Sequence, residues 1–404
     1  MNGAIDVDAE RAATPGCGLV SHLNNAGAAL PTSATLEAVI GHLRLESTRG
    51  GYEAAALVSD RLAAVRSSAA RLFGAAPGEV VVTGSDTQAW SKALWGYALG
   101  GGIGPGHRIV ADRIAYDSHY LGLLQVCQLS GATIEVVPSQ ADGTVDLDEL
   151  GHALDSGPVA LVSLTHVGTH RGLINPVEEA GVLCRRAAVP FFLDACQSLG
   201  QLPVDVGRIG CDVATATGRM WLRAPRGTGL LFVNTEFAER LRPPGIGGNS
   251  AVWLDAGHYR LLPGADRFVD FEVSIATHLG LGVAIDHALE LGLEAIAARV
   301  DALGERLRRD LVAIVGVEVH DGGARRSGIV TFTVDAATPT EVAAAAGSAG
   351  VNVSVSQAPS ARLDMSAPNP AAVVRASPHY YNTVDELDRL VETVRSVATG
   401  QPAP

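Results

Sequence analysis

Apolar residues recur along the chain in two rhythms. Short runs rich in Val, Ile, Leu and Phe predict strands over 79–83, 108–112, 133–137, 159–165, 190–194, 212–216 and 229–233. Several are nearly continuous rather than alternating, as in strands covered on both faces. Helical spacing lies between most of them, for example at 88–99, 147–154 and 177–188. This alternation predicts an α/β fold with a mainly parallel seven-stranded sheet, helices on both faces, and a ligand crevice beyond the strand carboxyl ends. From about Ile275 the pattern changes to a long helical region reaching about Val315, its polar face carrying Glu294, Arg299, Glu305 and Arg306. Strands near 328–334, 351–356 and 373–377 and a closing helix over 383–398 complete a smaller α+β domain. We expect a large domain over 20–265 and a small one from 1–19 plus 266–404; the final TGQPAP reads as a frayed tail.

The 404 residues suffice for two domains sharing a large core. With 47% apolar and 18% charged residues the composition is that of a globular enzyme, and a net charge of −13 offers no basic face to a nucleic acid. No apolar run approaches the ~18 residues of a membrane span, and the opening MNGAIDVDAE lacks the basic and apolar regions of a secretory leader. Cys17, Cys127, Cys184, Cys196 and Cys211 have no metal-type spacing. They read as free thiols in a reducing cytoplasm, with no metal site expected. Lys92 is the only lysine in the chain.

Candidate chemistry sits at predicted strand ends. Gly84-Ser85-Asp86-Thr87 follows one strand and opens a helix, which suits phosphate through free N–H groups and hydroxyls, and equally an ordinary helix cap. Asp194 ends PFFLD, where it can face a protonated ring nitrogen or cap the next segment. Tyr116 in ADRIAYDSHY, and His166, Thr169 and His170 in SLTHVGTHRG, follow neighbouring strands and make one crevice plausible. Arg375 ends a small-domain strand, a place for bidentate carboxylate recognition or for a surface ion pair.

Together LNNAGAALP, GSDTQAW, DACQSLGQLPVDV, RAPRGTGLLFV and RASPHYYNTVDELDRL resemble, in order and across about Leu23 to Ala398, the class V aminotransferase family of pyridoxal-phosphate enzymes. The resemblance implies the fold-type-I transferase architecture, a homodimer and an amino-acid-like substrate. It implies that Asp194 holds the pyridine nitrogen protonated, strengthening the ring as an electron sink. Gln197 would touch the ring hydroxyl, Tyr116 would stack on the ring, and Thr169 would lie near its substituents. Ser85, Asp86 and Thr87 would cradle the phosphate with help from Thr217 and Arg219. Asn25 and Arg375 would bind substrate, Arg375 through its carboxylate. The loop 247–249 and the region of Phe271 and Glu272 would lie at a dimer interface.

Two departures shape the expected function. The loop 353–363 contains no cysteine, so a desulfurase passing sulfur through a protein persulfide is not expected. After Gly218-Arg219, where the family's Schiff-base lysine belongs, stands Met220. A thioether has no nucleophilic nitrogen and no proton to shuttle, although it matches the stem of lysine in bulk. Lys92, seven residues beyond Ser85 and about 10 Å down the same helix, points away from the site. Three readings stay open: a Lys-to-Met variant of an ordinary lyase, transferase or epimerase; a protein holding pyridoxal or pyridoxamine phosphate non-covalently, with His170 or His119 as base; and a catalytically silent binding protein on the same scaffold.

Overall fold

A computed structural model describes residues 5–366 and 369–400. The last four residues of the tail read as frayed lie outside them. Seven strands, β1 (Val80–Thr83), β2 (Arg108–Ala111), β3 (Thr133–Val136), β4 (Val159–Thr165), β5 (Phe191–Asp194), β6 (Val213–Thr217) and β7 (Gly229–Val233), form one sheet in the order β1-β7-β6-β5-β4-β2-β3. β7 runs antiparallel to β1 and β6, and the other pairs are parallel. The carboxyl ends of β1, β2, β4, β5 and β6 therefore share an edge with the amino end of β7.

The apolar runs are continuous because both faces are covered. On one side α1 (Asp86–Leu99) and α2 (Asp117–Ser130) place Trp90, Leu94 and Leu123 against Ile109, Phe192 and Leu231. On the other, α3 (Val177–Ala187) and helices Ser59–Phe73 and Ile275–Leu291 pack over Val110, Leu164, Leu193 and Ala214. A four-stranded antiparallel sheet of Val317–Val319, Val330–Val334, Ala372–Ala376 and Ser354–Gln357 forms the second layer system. Helices Leu293–Val312 and Val384–Thr399 cover it with Leu303, Leu307, Leu311, Leu387 and Leu390 at helical spacing. Ser21–His22 pairs with Val351–Asn352, and Asn24 bridges to Ser377, tying the N-terminal segment to this part.

The single long helical region expected from 275 is two helices. Gly292, at φ 86°, ends the first and caps the second, a backbone turn that other residues adopt only under strain. Helices Ser33–Arg49, Gly51–Leu57 and Ser59–Phe73 and the hairpin Ala251–Asp255/His258–Leu261 were not anticipated. The first buries only Thr35 and His42, which leaves no apolar stripe to read.

Candidate active site

The shared strand edge and the segment carrying Arg375 enclose a cavity of about 510 Å³. Asp194 lines it from the end of β5, Thr217 from the end of β6, and Met220 from the turn that follows. Ser85, Asp86 and Thr87 enter from the start of α1, and Tyr116 from the start of α2. Thr169, Gln197, Arg219 and Arg375 complete the set of expected residues that line it.

At the α1 end, the Ser85 hydroxyl caps the helix by accepting the Gln88 N–H at 3.1 Å. The N–H groups of Asp86 and Thr87 have no acceptor among the described residues, as the first turn of a helix requires. β7 approaches so closely that a Cβ on Gly229 would lie 2.3 Å from the Ser85 carbonyl carbon and 2.8 Å from the Asp86 nitrogen. The helix dipole, the free N–H pair and the guanidinium of Arg219, whose Nη1 lies 3.3 Å from the Thr217 hydroxyl, make this end a receptor for an anion. The Asp86 side chain does not belong to that receptor. Its carboxylate lies 2.7 Å from His119 Nε2, where a negative charge is compensated instead of repelling a phosphate.

At the floor, Asp194 Oδ1 accepts the Cys196 N–H at 2.8 Å, and Oδ2 lies 3.4 Å from His119 Nδ1. Burial raises the Asp194 carboxyl, His119 opposes that and Asp86 adds to it, leaving it at about 6. At neutral pH it is an anion facing the cavity. Along one wall, Thr169 Oγ1 accepts from Arg375 Nη1 at 2.7 Å and from Gln197 Nε2 at 3.1 Å, while Gln197 Oε1 accepts from Trp221 Nε1 at 2.8 Å. Arg375 Nε donates to Ser354 Oγ at 3.2 Å, and its Nη2 has no protein partner among the described residues. Burial brings Arg375 down to about 10, so it remains a cation with one edge open to a carboxylate. Tyr116, half-exposed, stands at the mouth, its phenol raised chiefly by burial.

Met220 is 9% exposed, and its carbonyl accepts the Arg223 N–H at 3.0 Å. Lys92 is engaged elsewhere, donating to Phe268 O at 2.7 Å and to Asp270 Oδ1 at 2.5 Å. Three expectations need correction. The chain turns at 169–170, so Thr169 faces inward and His170 outward, into a separate cavity of about 220 Å³ with His320 and Asp364. Burial, with Arg375, lowers His170 to about 4. His119, the other proposed base, lies beneath the floor and not on it. Asn25 is spent in the seam between the N-terminal segment and 377–382, where its amide donates to Ser377 O at 2.7 Å and its oxygen accepts from Tyr381. Its neighbours Ala26 and Gly27 line the cavity in its place. Sequence reasoning missed Arg226, whose signal was an arginine in the Gly-rich link between β6 and β7, and Cys196, whose thiol burial holds well above the ordinary range.

A family model described as aminotransferase class-V matches residues 22–390. The chain belongs to that family. A protein of Mycobacterium tuberculosis named probable hercynylcysteine sulfoxide lyase is 33% identical over 92% of this chain and 89% of its own. One of Methanothermobacter thermautotrophicus named probable cysteine desulfurase is 27% identical over 91% of this chain and 92% of its own. The structure of an apo cysteine desulfurase from Thermococcus onnurineus superposes with a TM-score of 0.91 at 24% identity, covering 99% of this chain and all of the other. Class V enzymes use pyridoxal phosphate on amino-acid-like substrates, and the donor set fits that cofactor: an anion receptor at one end, a buried carboxylate at the floor and a free guanidinium edge opposite. The expected exclusion of desulfurase chemistry is overturned by the desulfurase relative. The expectation rested on one missing loop thiol, whereas the likeness to the desulfurase relative runs over 91% of this chain.

Proposed function

We propose that this class V protein holds pyridoxal or pyridoxamine phosphate without a covalent anchor and binds a cysteine-derived amino acid for cleavage at its C–S bond. The observation that carries the proposal is that Asp194, Met220, Arg375 and the open first turn of α1 line one cavity. The names of the lyase and desulfurase relatives support a sulfur-bearing substrate.

When bound, the cofactor supplies an electron sink for charge developing at the α-carbon. The protein's share is binding and electrostatics. The N–H groups of Asp86 and Thr87, with Ser85, Thr87, Thr217 and Arg219, would hold the phosphate. Asp194 would keep a proton on the ring nitrogen, Tyr116 would cover the ring, and Thr169 and Gln197 would meet its polar substituent. The Nη2 edge of Arg375 would take the substrate carboxylate. Met220 fills the volume of a lysine stem and offers no amine. Five unpaired cysteines suit a reducing, cytoplasmic setting. The hairpin bearing Trp253, 81% exposed, and the nearby Phe271 support a homodimer through that face.

A second reading, a silent binding protein, is favoured by the lack of an amine at position 220 and by Tyr116 and Cys196, which are both held protonated. The test is a titration with pyridoxal phosphate and with pyridoxamine phosphate. We expect one equivalent bound, lost on gel filtration and not fixed by borohydride. Binding of neither form ends the proposal, and binding without C–S cleavage of any cysteine derivative selects the silent reading.

A further inference from the structure

Asp86 on α1, His119 on α2 and Asp194 at the end of β5 converge beneath the cavity floor. His119 Nε2 lies 2.7 Å from Asp86 Oδ2, and Nδ1 lies 3.4 Å from Asp194 Oδ2. Trp90 stacks on the imidazole with centroids 4.2 Å apart and planes within 5°, which fixes the plane in which both nitrogens point. All three residues are buried, and of the three His119 alone does not line the cavity. Two buried carboxylates with nothing between them cannot both stay ionised. An imidazolium hydrogen-bonded to Asp86 and ion-paired with Asp194 lets both do so. The other titratable or charged groups bearing on the cluster are Asp112, which burial raises to about 8 and so leaves mainly neutral, and Arg219 near Asp86.

We propose that His119 is a positioning residue: it keeps Asp194 as the anion that pairs with a protonated ring nitrogen, and it draws the Asp86 carboxylate away from the phosphate receptor. This rests on the cofactor reading above. Burial works against a charged ring, but Asp194 and Asp86 outweigh it and raise His119 to about 9, so the ring is a cation at neutral pH.

The test compares binding of pyridoxamine phosphate with that of its analogue carrying carbon in place of the ring nitrogen, in the full chain and in His119→Gln and His119→Leu. A charge-assisted hydrogen bond at the ring nitrogen gives the unaltered protein a preference of about tenfold or more for the nitrogen form. The leucine variant should lose that preference, and the glutamine variant, which keeps a donor without the charge, should fall between. A preference that survives in both variants overturns the inference, as does an equal weakening of both ligands, the mark of a merely structural role. An unaltered protein that binds both ligands equally also overturns it. If the unaltered protein binds neither, the cofactor reading itself has failed.

Discussion

Met220→Lys places an amine in a cavity whose charged lining the structure defines. Arg219, Arg226 and Arg375 line it, and the buried Asp86–His119–Asp194 cluster contributes one net negative charge. In the cofactor-free cavity, before the phosphate enters, the new ammonium therefore meets two uncompensated positive charges. For an assumed separation on the order of 10 Å and an effective dielectric of ~20, each would cost roughly 1.7 kcal/mol, a little over one pH unit. Solvent at the mouth, where Arg226 is exposed, reduces the sum to roughly two pH units below an ordinary lysine at ~10.4. The variant is incubated with pyridoxal phosphate across about pH 6 to 10, reduced with borohydride, digested and mapped by mass spectrometry. Modification should fall on position 220, half-maximal near pH ~8, and be absent from the unaltered protein. Lys92 should stay unmodified, because its Nζ is held by Phe268 O and Asp270. Modification of Lys92 in place of position 220 would refute the placement of residue 220 against the cofactor. A midpoint near an ordinary lysine's would refute the charge argument while leaving the placement intact.

Arg375→Leu should weaken binding of an amino acid to the cofactor-loaded protein about 10- to 100-fold, the worth of a charge-assisted hydrogen bond. Calorimetry should show cofactor affinity itself nearly unchanged; loss of the cofactor instead contradicts the carboxylate role. Gly229→Ala forces a Cβ into the backbone of Ser85 and Asp86, so it should lower thermal stability by about 2 kcal/mol or more and abolish phosphate binding. Unchanged melting and binding would show that the close approach is not tight. Stability of the cofactor-free protein should fall with pH above about 6.5, where the lowered His166 and His170 no longer titrate. A group whose folded pKa is raised stabilises fully below its unfolded value and loses that contribution as pH passes the folded value. Asp194, raised from 3.8 to about 6, loses its contribution over that window, and His119 loses its own between 6.5 and about 9. Denaturant midpoints should therefore drop between pH 6.5 and 9, by an amount worth a few kcal/mol, and a flat profile over that window would contradict the His119 cluster.

The sheet was legible because its strands are covered on both faces, so burial alone wrote nearly continuous apolar runs at β4, β5 and β7. The strand-end residues were legible for a related reason: one carboxylate after FFL, or one hydroxyl cluster after VVVT, has no role in the core. What the sequence hid is direction. Thr169 and His170 are adjacent and alike in context, yet a turn sends one into the cavity and the other away. Asp86 sits among phosphate-binding residues, but its side chain answers to His119, thirty-three residues on. Asn25 lies in a segment whose neighbours line the cavity, and only the distant Ser377, Tyr381 and Asn382 show why it does not. Each of these depends on contacts between segments far apart in the chain, which no local pattern encodes.

The absence of an amine places a demand on assembly. Removing a proton from the α-carbon needs an acceptor with a free lone pair near neutral pH. Met220 has none of useful basicity, Arg219, Arg226 and Arg375 are cations, and the phenol of Tyr116 and the thiol of Cys196 keep their protons. In the proposed reading Asp194 is taken up by the ring nitrogen. If this protein turns over, the base must come from solvent at the mouth or from a second copy docked on the Trp253 and Phe271 face. The two sources respond differently to dissociation. Exchange of the α-hydrogen of a bound amino acid into heavy water, followed by NMR, should vanish in Trp253→Asp if the partner supplies the base, together with the dimer in light scattering. Exchange that continues unchanged in a monomer assigns the base to solvent. Exchange absent in the unaltered protein leaves the cavity as a binding site alone.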